Sequence, residues 1–145
     1  MIHFHTQDLK FTLKNKTLLK AWILSTIQKK KRESGQLNYI FCSDAFLLQI
    51  NKQYLNHDTY TDIITFDYTI ENKRGAVSGD IYISIERVIE NAGTFSKTVE
   101  DELLRVMIHG TLHLLGYKDK TKTDKATMRK QEDACLKQLG KIKKE

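Results

Sequence analysis

Apolar residues recur along the chain with two spacings, one typical of strands and one typical of helices. Alternation of apolar and polar residues predicts four strands, over residues 2–6, 37–42, 61–69 and 77–84. Apolar residues three or four positions apart predict five helices, over residues 16–32, 43–55, 85–92, 98–115 and 123–139. Because strands and helices follow in mixed order, we expect one α+β domain over residues 1–145, with a small mixed four-stranded sheet.

Residues at the ends of these segments support the predicted boundaries. Gly35 and Gly116 are expected to end two helices, because glycine readily adopts the left-handed conformation. Polar residues at 56–60 and 73–75 predict a loop and a turn, and Gly79 inside a strand indicates a bulge or a close approach of another backbone. Four side chains can cap the first turn of a helix, namely Asn15, Ser43, Thr98 and Thr123.

The helix over residues 98–115 is apolar on nearly its whole circumference, so it is expected to be buried at the centre of the domain. His109 and His113 interrupt it four positions apart, and side chains with this spacing share one face of a helix. Gly116 then lets the chain turn and bring Asp119 toward both imidazoles. Two nitrogens and one oxygen leave an open position on a tetrahedral zinc ion, as in a catalytic site. We therefore predict one Zn²⁺ per chain at His109, His113 and Asp119, with another divalent metal as an open alternative.

The same residues leave two other interpretations to weigh. The histidines can form a half-buried polar face that binds no metal, with Asp119 in water. A zinc peptidase of the HExxH type needs a glutamate directly after the first histidine, and Gly110 stands there, so the sequence does not favour a peptidase. Glycine at this position indicates close packing against the helix instead.

Charge narrows the choice of substrate. The 145 residues carry a net charge of +6, with basic clusters at 29–32, 118–125 and 141–144. Basic helix ends are often simply solvated, but the cluster at 118–125 adjoins the predicted metal site and favours a phosphodiester substrate. No apolar run is long enough to span a bilayer and the N-terminus lacks the order of a secretory signal, so we expect a cytoplasmic protein without a membrane partner. Cys42 and Cys135 are too few for a disulfide framework.

Several segments are similar, in their order along the chain, to those of one protein family. Residues 50–66 read INKQYLNHDTYTDIITF, residues 78–83 read SGDIYI, and residues 109–119 read HGTLHLLGYKD. Met128 and Glu132 follow at the spacing of the family. Together these motifs resemble the YbeY family of bacterial endoribonucleases, which are rRNA maturation factors. The resemblance implies a metal-dependent, single-strand endoribonuclease that acts on rRNA precursors in late ribosome maturation and works with the ribosome or its small subunit.

Two positions depart from the motifs of that family. Asp119 stands in place of the third metal-binding histidine, with Lys118 before it in place of an aspartate. Leu55 stands in place of a basic residue, so any phosphate contact made there must come from another cation. We predict that RNA is bound by Lys52, Lys118, Lys120 and Lys122.

The resemblance also gives the two histidines a catalytic role. A metal held by His109 and His113 would lower the pKa of bound water and polarise a phosphoryl oxygen, with either water or the RNA 2′-hydroxyl as nucleophile. Asp62 and Asp80 lie in matching segments and are candidate general bases, although a structural carboxylate is the favoured interpretation of each. The alternative function is a non-catalytic RNA-binding ribosome-assembly factor in which the metal only stabilises the fold.

Overall fold

The computed structural model describes residues 1–56, 60–69 and 75–143. Within these ranges the strands are β1 (Ile2–Thr6), β2 (Ser34–Cys42), β3 (Ile63–Asp67) and β4 (Val77–Ser84). The helices are α1 (Lys16–Lys29), α2 (Asp44–Leu55), α3 (Ile85–Thr94), α4 (Val99–Leu114) and α5 (Lys122–Lys143). This single α+β domain, with five helices and a mixed four-stranded sheet in the described residues, confirms the predicted fold.

The sheet has the strand order β1-β2-β4-β3, which leaves β3 at an edge. The three strands β1, β2 and β4 are parallel, whereas β3 runs antiparallel to β4 with Ile63 opposite Ile83. Gly79 of β4 allows a close approach, as predicted, because a Cβ there would collide with the carbonyl oxygen of Phe66 and lie 3.0 Å from Leu114 of α4. The irregularity in strand pairing falls elsewhere, between Ser34 and Leu37.

Helix α4 lies against the sheet and is buried over most of its surface, as its sequence predicts. Gly110 faces β3 and β4 so closely that an added Cβ would lie 2.8 Å from Ile63 Cδ1 and 2.9 Å from Ile81 Cγ2. The glycine is therefore a packing requirement. A side chain at position 110 would point into the sheet. A glutamate there, as in an HExxH peptidase, could not reach the face of the helix that carries the two histidines.

Helix α5 is fixed to the rest of the core by its buried residues Met128, Cys135 and Leu139. The fully buried Trp22 of α1 donates a hydrogen bond from Nε1 to the carbonyl oxygen of Cys135 at 2.8 Å. Since a buried indole N–H needs an acceptor, this bond fixes the position of α5 relative to α1. The position of α5 matters because it carries Arg129 and Glu132 toward α4.

Several predicted helix boundaries need correction. Helix α1 ends at Lys29 rather than at residue 32, because Lys31 adopts a left-handed φ of 59° and the Arg32 N–H bonds back to the carbonyl of Ile27. Gly35 is therefore not the stop; it lies within β2, which begins at residue 34. Asn15 has a left-handed φ of 60° and its side chain makes no capping hydrogen bond, so the prediction of a side-chain cap was wrong.

Other predicted ends are confirmed or shifted. Ser43 and Thr98 each accept a hydrogen bond from the first turn of their helices, as predicted. The cap of α5 is Thr121 rather than Thr123, because the Thr121 Oγ1 and the Asp124 carboxylate accept from each other's backbone N–H, forming a capping box. Helix α5 also continues to residue 143, beyond the predicted end at 139.

Strand β3 is shorter than the predicted 61–69, since Thr61 and Asp67 bond to nearby backbone groups at its ends. The predicted loop at 56–60 and turn at 73–75 fall largely outside the described residues. None of the helices in the described ranges has the length and apolar character needed to cross a bilayer.

The contact at Gly110 generates a stability prediction. Intrinsic helix propensity favours alanine over glycine by about 1 kcal/mol, but the predicted clash with Ile63 and Ile81 has the opposite sign. We expect Gly110→Ala to lower the free energy of unfolding by about 1–3 kcal/mol, measured by urea denaturation. Gly140→Ala in α5 is the matched control, since no atom lies within 4 Å of its added Cβ, and it should not destabilise. A stabilising Gly110→Ala would show that the helix does not pack this tightly.

Candidate metal centre

One face of α4 forms the wall of a cavity of about 430 Å³. The α4 side chains that line this cavity are three or four residues apart, so they form one stripe along the helix. The opposite walls come from the β3 segment, the turn after α4, and α5. The α4 stripe consists of Glu102, Arg105, Val106, His109 and His113. The cavity therefore gathers polar groups from four parts of the chain around the two predicted ligands.

Asp119 closes the predicted ligand set. Its Oδ2 lies 3.2 Å from His109 Nε2 and 3.3 Å from His113 Nε2, and the three ligand atoms are all within 4.8 Å of one another. Two ligand atoms each about 2.05 Å from a tetrahedral zinc ion are themselves about 3.3 Å apart. The spacing of the side chains thus suits a small divalent ion, and in the described residues this is the one cluster of three such groups.

The turn after α4 brings Asp119 to the histidines. Gly116 adopts a φ of 104°, as predicted for a left-handed residue ending a helix. The N–H groups of Gly116 and Tyr117 donate to the carbonyls of His113 and Leu112, both at 3.0 Å. These bonds satisfy the last carbonyls of α4 and reverse the chain, so that the third ligand lies beside the first two.

Glu132 of α5 orients the first histidine. His109 Nδ1 lies 2.6 Å from Glu132 Oε2. Burial raises the pKa of Glu132, but its hydrogen bond to His109 and its bond to Arg105 outweigh burial and lower it overall. An ionised carboxylate can only accept, so Nδ1 carries a proton, and Nε2, beside Asp119, is the ring atom that can ligate a metal. Sequence reasoning placed Glu132 in a motif without giving it this role.

Arg105 completes a chain of contacts behind the site. It donates to Glu132 Oε1 and to Asp133 Oδ1, both at 2.8 Å. Burial lowers the pKa of His109, but the hydrogen bond and charge of Glu132 outweigh it, so the net pKa is raised. The field that favours a proton on His109 also favours a metal cation. Arg105 lies four residues before His109, a spacing from which its place on this face could have been predicted.

Two further carboxylates face the cavity. Burial raises the pKa of Asp62, which accepts a 3.4 Å hydrogen bond from Asn91, and burial together with the charge of Asp62 raises the pKa of Glu102. The other candidate base, Asp80, lies outside the cavity wall and accepts hydrogen bonds from Asn38 and Tyr68, consistent with a structural carboxylate. Of the two candidates, only Asp62 is therefore near the ligands.

The charged groups that line the cavity have a clear excess of negative charge. Arg105 and Arg129 oppose four carboxylates, those of Asp62, Glu102, Asp119 and Glu132. With both histidines neutral, the formal balance is two negative charges, which a divalent cation would neutralise. Metal and anionic substrate would therefore favour each other's binding at this site.

The lysines predicted to bind RNA are exposed but do not form the cavity wall. Lys118 and Lys120 flank Asp119, and Lys122 begins α5, so three of them are close in sequence to a residue that lines the cavity. Lys52 of α2 lines a separate shallow depression with Asp8 and Tyr60. Their RNA contacts remain a prediction.

Comparison with known proteins agrees with this geometry. The family described as Endoribonuclease YbeY matches residues 1–140 of the chain. A protein of Flavobacterium psychrophilum named Endoribonuclease YbeY is 50% identical over 137 residues, which are 94% of this chain and 95% of that protein. One of the same name from Cytophaga hutchinsonii is 49% identical over 135 residues, covering 93% of each chain.

A solved structure shows the same fold. The protein in the solution structure of TM1509 from Thermotoga maritima is 28% identical in sequence, and the two structures superpose with a TM-score of 0.67. The match covers 96% of this chain and 89% of the TM1509 chain. The sequence match extends over nearly the whole domain, including the ligand cluster, the β3 segment and most of α5. The chain belongs to the YbeY family of endoribonucleases.

Proposed function

We propose that this endoribonuclease is metal-dependent and holds one zinc ion at His109, His113 and Asp119. The observation that carries the proposal is the pair of 3.2 and 3.3 Å distances from Asp119 Oδ2 to the two Nε2 atoms. Imidazole and carboxylate ligands suit Zn²⁺, and three protein ligands leave a position for water or substrate. Glu132 supports the assignment, because metal-ligating histidines usually donate their other ring N–H to a carboxylate or carbonyl.

The residues of the chain then have distinct tasks. When bound, the metal supplies Lewis acidity, polarising a phosphoryl oxygen and lowering the pKa of water. His109 and His113 hold it as neutral ligands, and Glu132 keeps the Nδ1 proton of His109 in place. Asp62 lies on the cavity wall, and burial raises its pKa. Its carboxylate is therefore a stronger base than that of an ordinary aspartate and suits the role of proton acceptor. The nucleophile is water or the RNA 2′-hydroxyl.

The proposed substrate is single-stranded RNA within rRNA precursors, cut during late ribosome maturation in the cytoplasm, with the ribosome or its small subunit as partner. The net charge of +6 and the exposed Lys118, Lys120 and Lys122, all within three residues of Asp119 in the sequence, support a polyanionic partner. Lys52 would contact a more distant part of the RNA, since it lies on a different depression.

Metal content tests the ligand set directly. We expect the untagged wild-type protein to contain close to one zinc ion per chain by inductively coupled plasma mass spectrometry, and Asp119→Ala to lose most of it, because two imidazoles alone bind weakly. Asp119→His is the matched variant, since it restores a third ligand and should restore the metal. Equal metal in wild type and Asp119→Ala would contradict this ligand set.

The role of Glu132 is tested by metal affinity. Glu132→Gln keeps the size of the side chain but removes the charge that fixes the His109 tautomer, so we expect zinc affinity to fall about 10–100-fold in a chelator competition. Asp133→Asn is the control, because Asp133 also pairs with Arg105 but does not touch a histidine. Similar losses in both variants would mean that Arg105, and not the carboxylate on His109, supports the site.

Cleavage separates the nuclease from the binding-only alternative. His113→Ala removes a ligand at a partly exposed position and should leave the fold intact by circular dichroism. We expect it to abolish cleavage of single-stranded RNA and to leave RNA binding weakened but measurable, because the metal is lost while the basic residues remain. Binding without cleavage in the metal-loaded wild-type protein would favour an assembly factor with a structural metal.

A further inference from the structure

Arg129 is a cation at the metal centre to which the mechanism above gives no task. It lies on α5, three residues before Glu132, so the two side chains share the face of the helix that meets the cavity. Its side chain lines the same cavity as His109 and Asp119, and it is exposed to solvent. A guanidinium in this place can reach a ligand that enters beside the metal.

The two arginines of the cavity differ in how they are bound. Arg105 is held by ion pairs of 2.8 Å to Glu132 and Asp133, so its donors serve the fold and the first histidine. Within the part of the chain that the structure describes, Arg129 makes neither an ion pair nor a side-chain hydrogen bond. Its electrostatic interaction is with Glu102, whose pKa it lowers against the larger raising effect of burial.

An uncommitted guanidinium is suited to one class of ligand. Arginine presents several N–H donors in a planar fork, which matches two oxygens of a phosphate or carboxylate. None of the carboxylates on the walls of the described cavity forms an ion pair with Arg129, so a group that meets the fork would come from outside. A phosphodiester fits, because its non-bridging oxygens can meet the fork while the same group lies near the metal ligands.

We propose that Arg129 binds a phosphate of the RNA strand at the metal centre and thereby positions the strand for cleavage. This inference rests on the proposed function, since it takes RNA as the ligand. The four predicted lysines are not equivalent to Arg129, because none of them lines the cavity. Arg105 is not equivalent either, because recruiting it would leave Glu132 and Asp133 without their cation.

Arg129→Gln tests the proposal through binding, measured without cleavage. The probe is a fluorescent single-stranded RNA with 2′-O-methyl groups, titrated by anisotropy into metal-loaded protein at several salt concentrations. We expect its Kd to rise about tenfold, the effect of losing a charge-assisted hydrogen bond, and the slope of log K against log salt to fall by about 0.7. Metal content should equal that of the wild type, because Arg129 is not a ligand.

Lys130→Gln is the matched control, since it removes the same charge from the next residue of α5, which does not line the cavity. We expect a much smaller change for this variant, and an intermediate Kd for Arg129→Lys, which keeps the charge but loses the fork. Equal Kd and salt slope for Arg129→Gln and Lys130→Gln would overturn the inference and leave the proposed function standing. A wild-type protein that holds its metal but does not bind RNA would overturn both.

Discussion

The hydrogen bond between His109 and Glu132 is the interaction on which the site depends. Glu132 is buried, and a buried carboxylate is costly unless it is paired and hydrogen-bonded. Its two oxygens are satisfied separately, one by Arg105 and the other by His109, and both partners come from α4. The contact therefore joins the two helices and, at the same time, fixes the proton on Nδ1 of a candidate metal ligand. The packing of α5, anchored through Trp22, has a direct effect on the chemistry of His109.

Helix α4 meets opposing requirements on adjacent residues. Gly110 must be small because Ile63 and Ile81 occupy the space where its Cβ would be, whereas His109, one residue earlier, faces a polar cavity. A helix turns by about 100° per residue, so neighbouring positions can belong to different environments. Contact with the sheet holds the backbone of α4 in place, and this helps to keep the two imidazoles on the cavity side of the helix, within 4.8 Å of each other and of Asp119.

Local sequence signals predicted the elements and the clustering of three candidate ligands because each signal acts over a few residues. The His109–His113 spacing and the turn at Gly116 are properties of one helix and its end, and the structure has both. The boundaries that failed depended on particular backbone conformations, such as the left-handed Lys31, for which the sequence carries no strong preference. The contacts of Glu132 with α4, and the place of Arg129 on the cavity wall, depend on the packing of α5. No periodicity along the chain specifies which distant side chains that packing brings together.

The identity of the third ligand changes the electrostatics of the whole cavity. A carboxylate at position 119 contributes a negative charge that a neutral imidazole would not, so a metal bound there would have, together with its ligands, a smaller net positive charge. A smaller positive charge on such a metal site would attract a phosphodiester less strongly. Asp62 and Glu102, which also line the cavity, weaken that attraction further. A cation outside the ligand set can offset that loss only if it is near the metal and unpaired. Among the groups that line the described cavity, Arg129 is the arginine without an ion pair. On the proposed function, the carboxylate at position 119 and the unpaired arginine on α5 are then two parts of one charge balance.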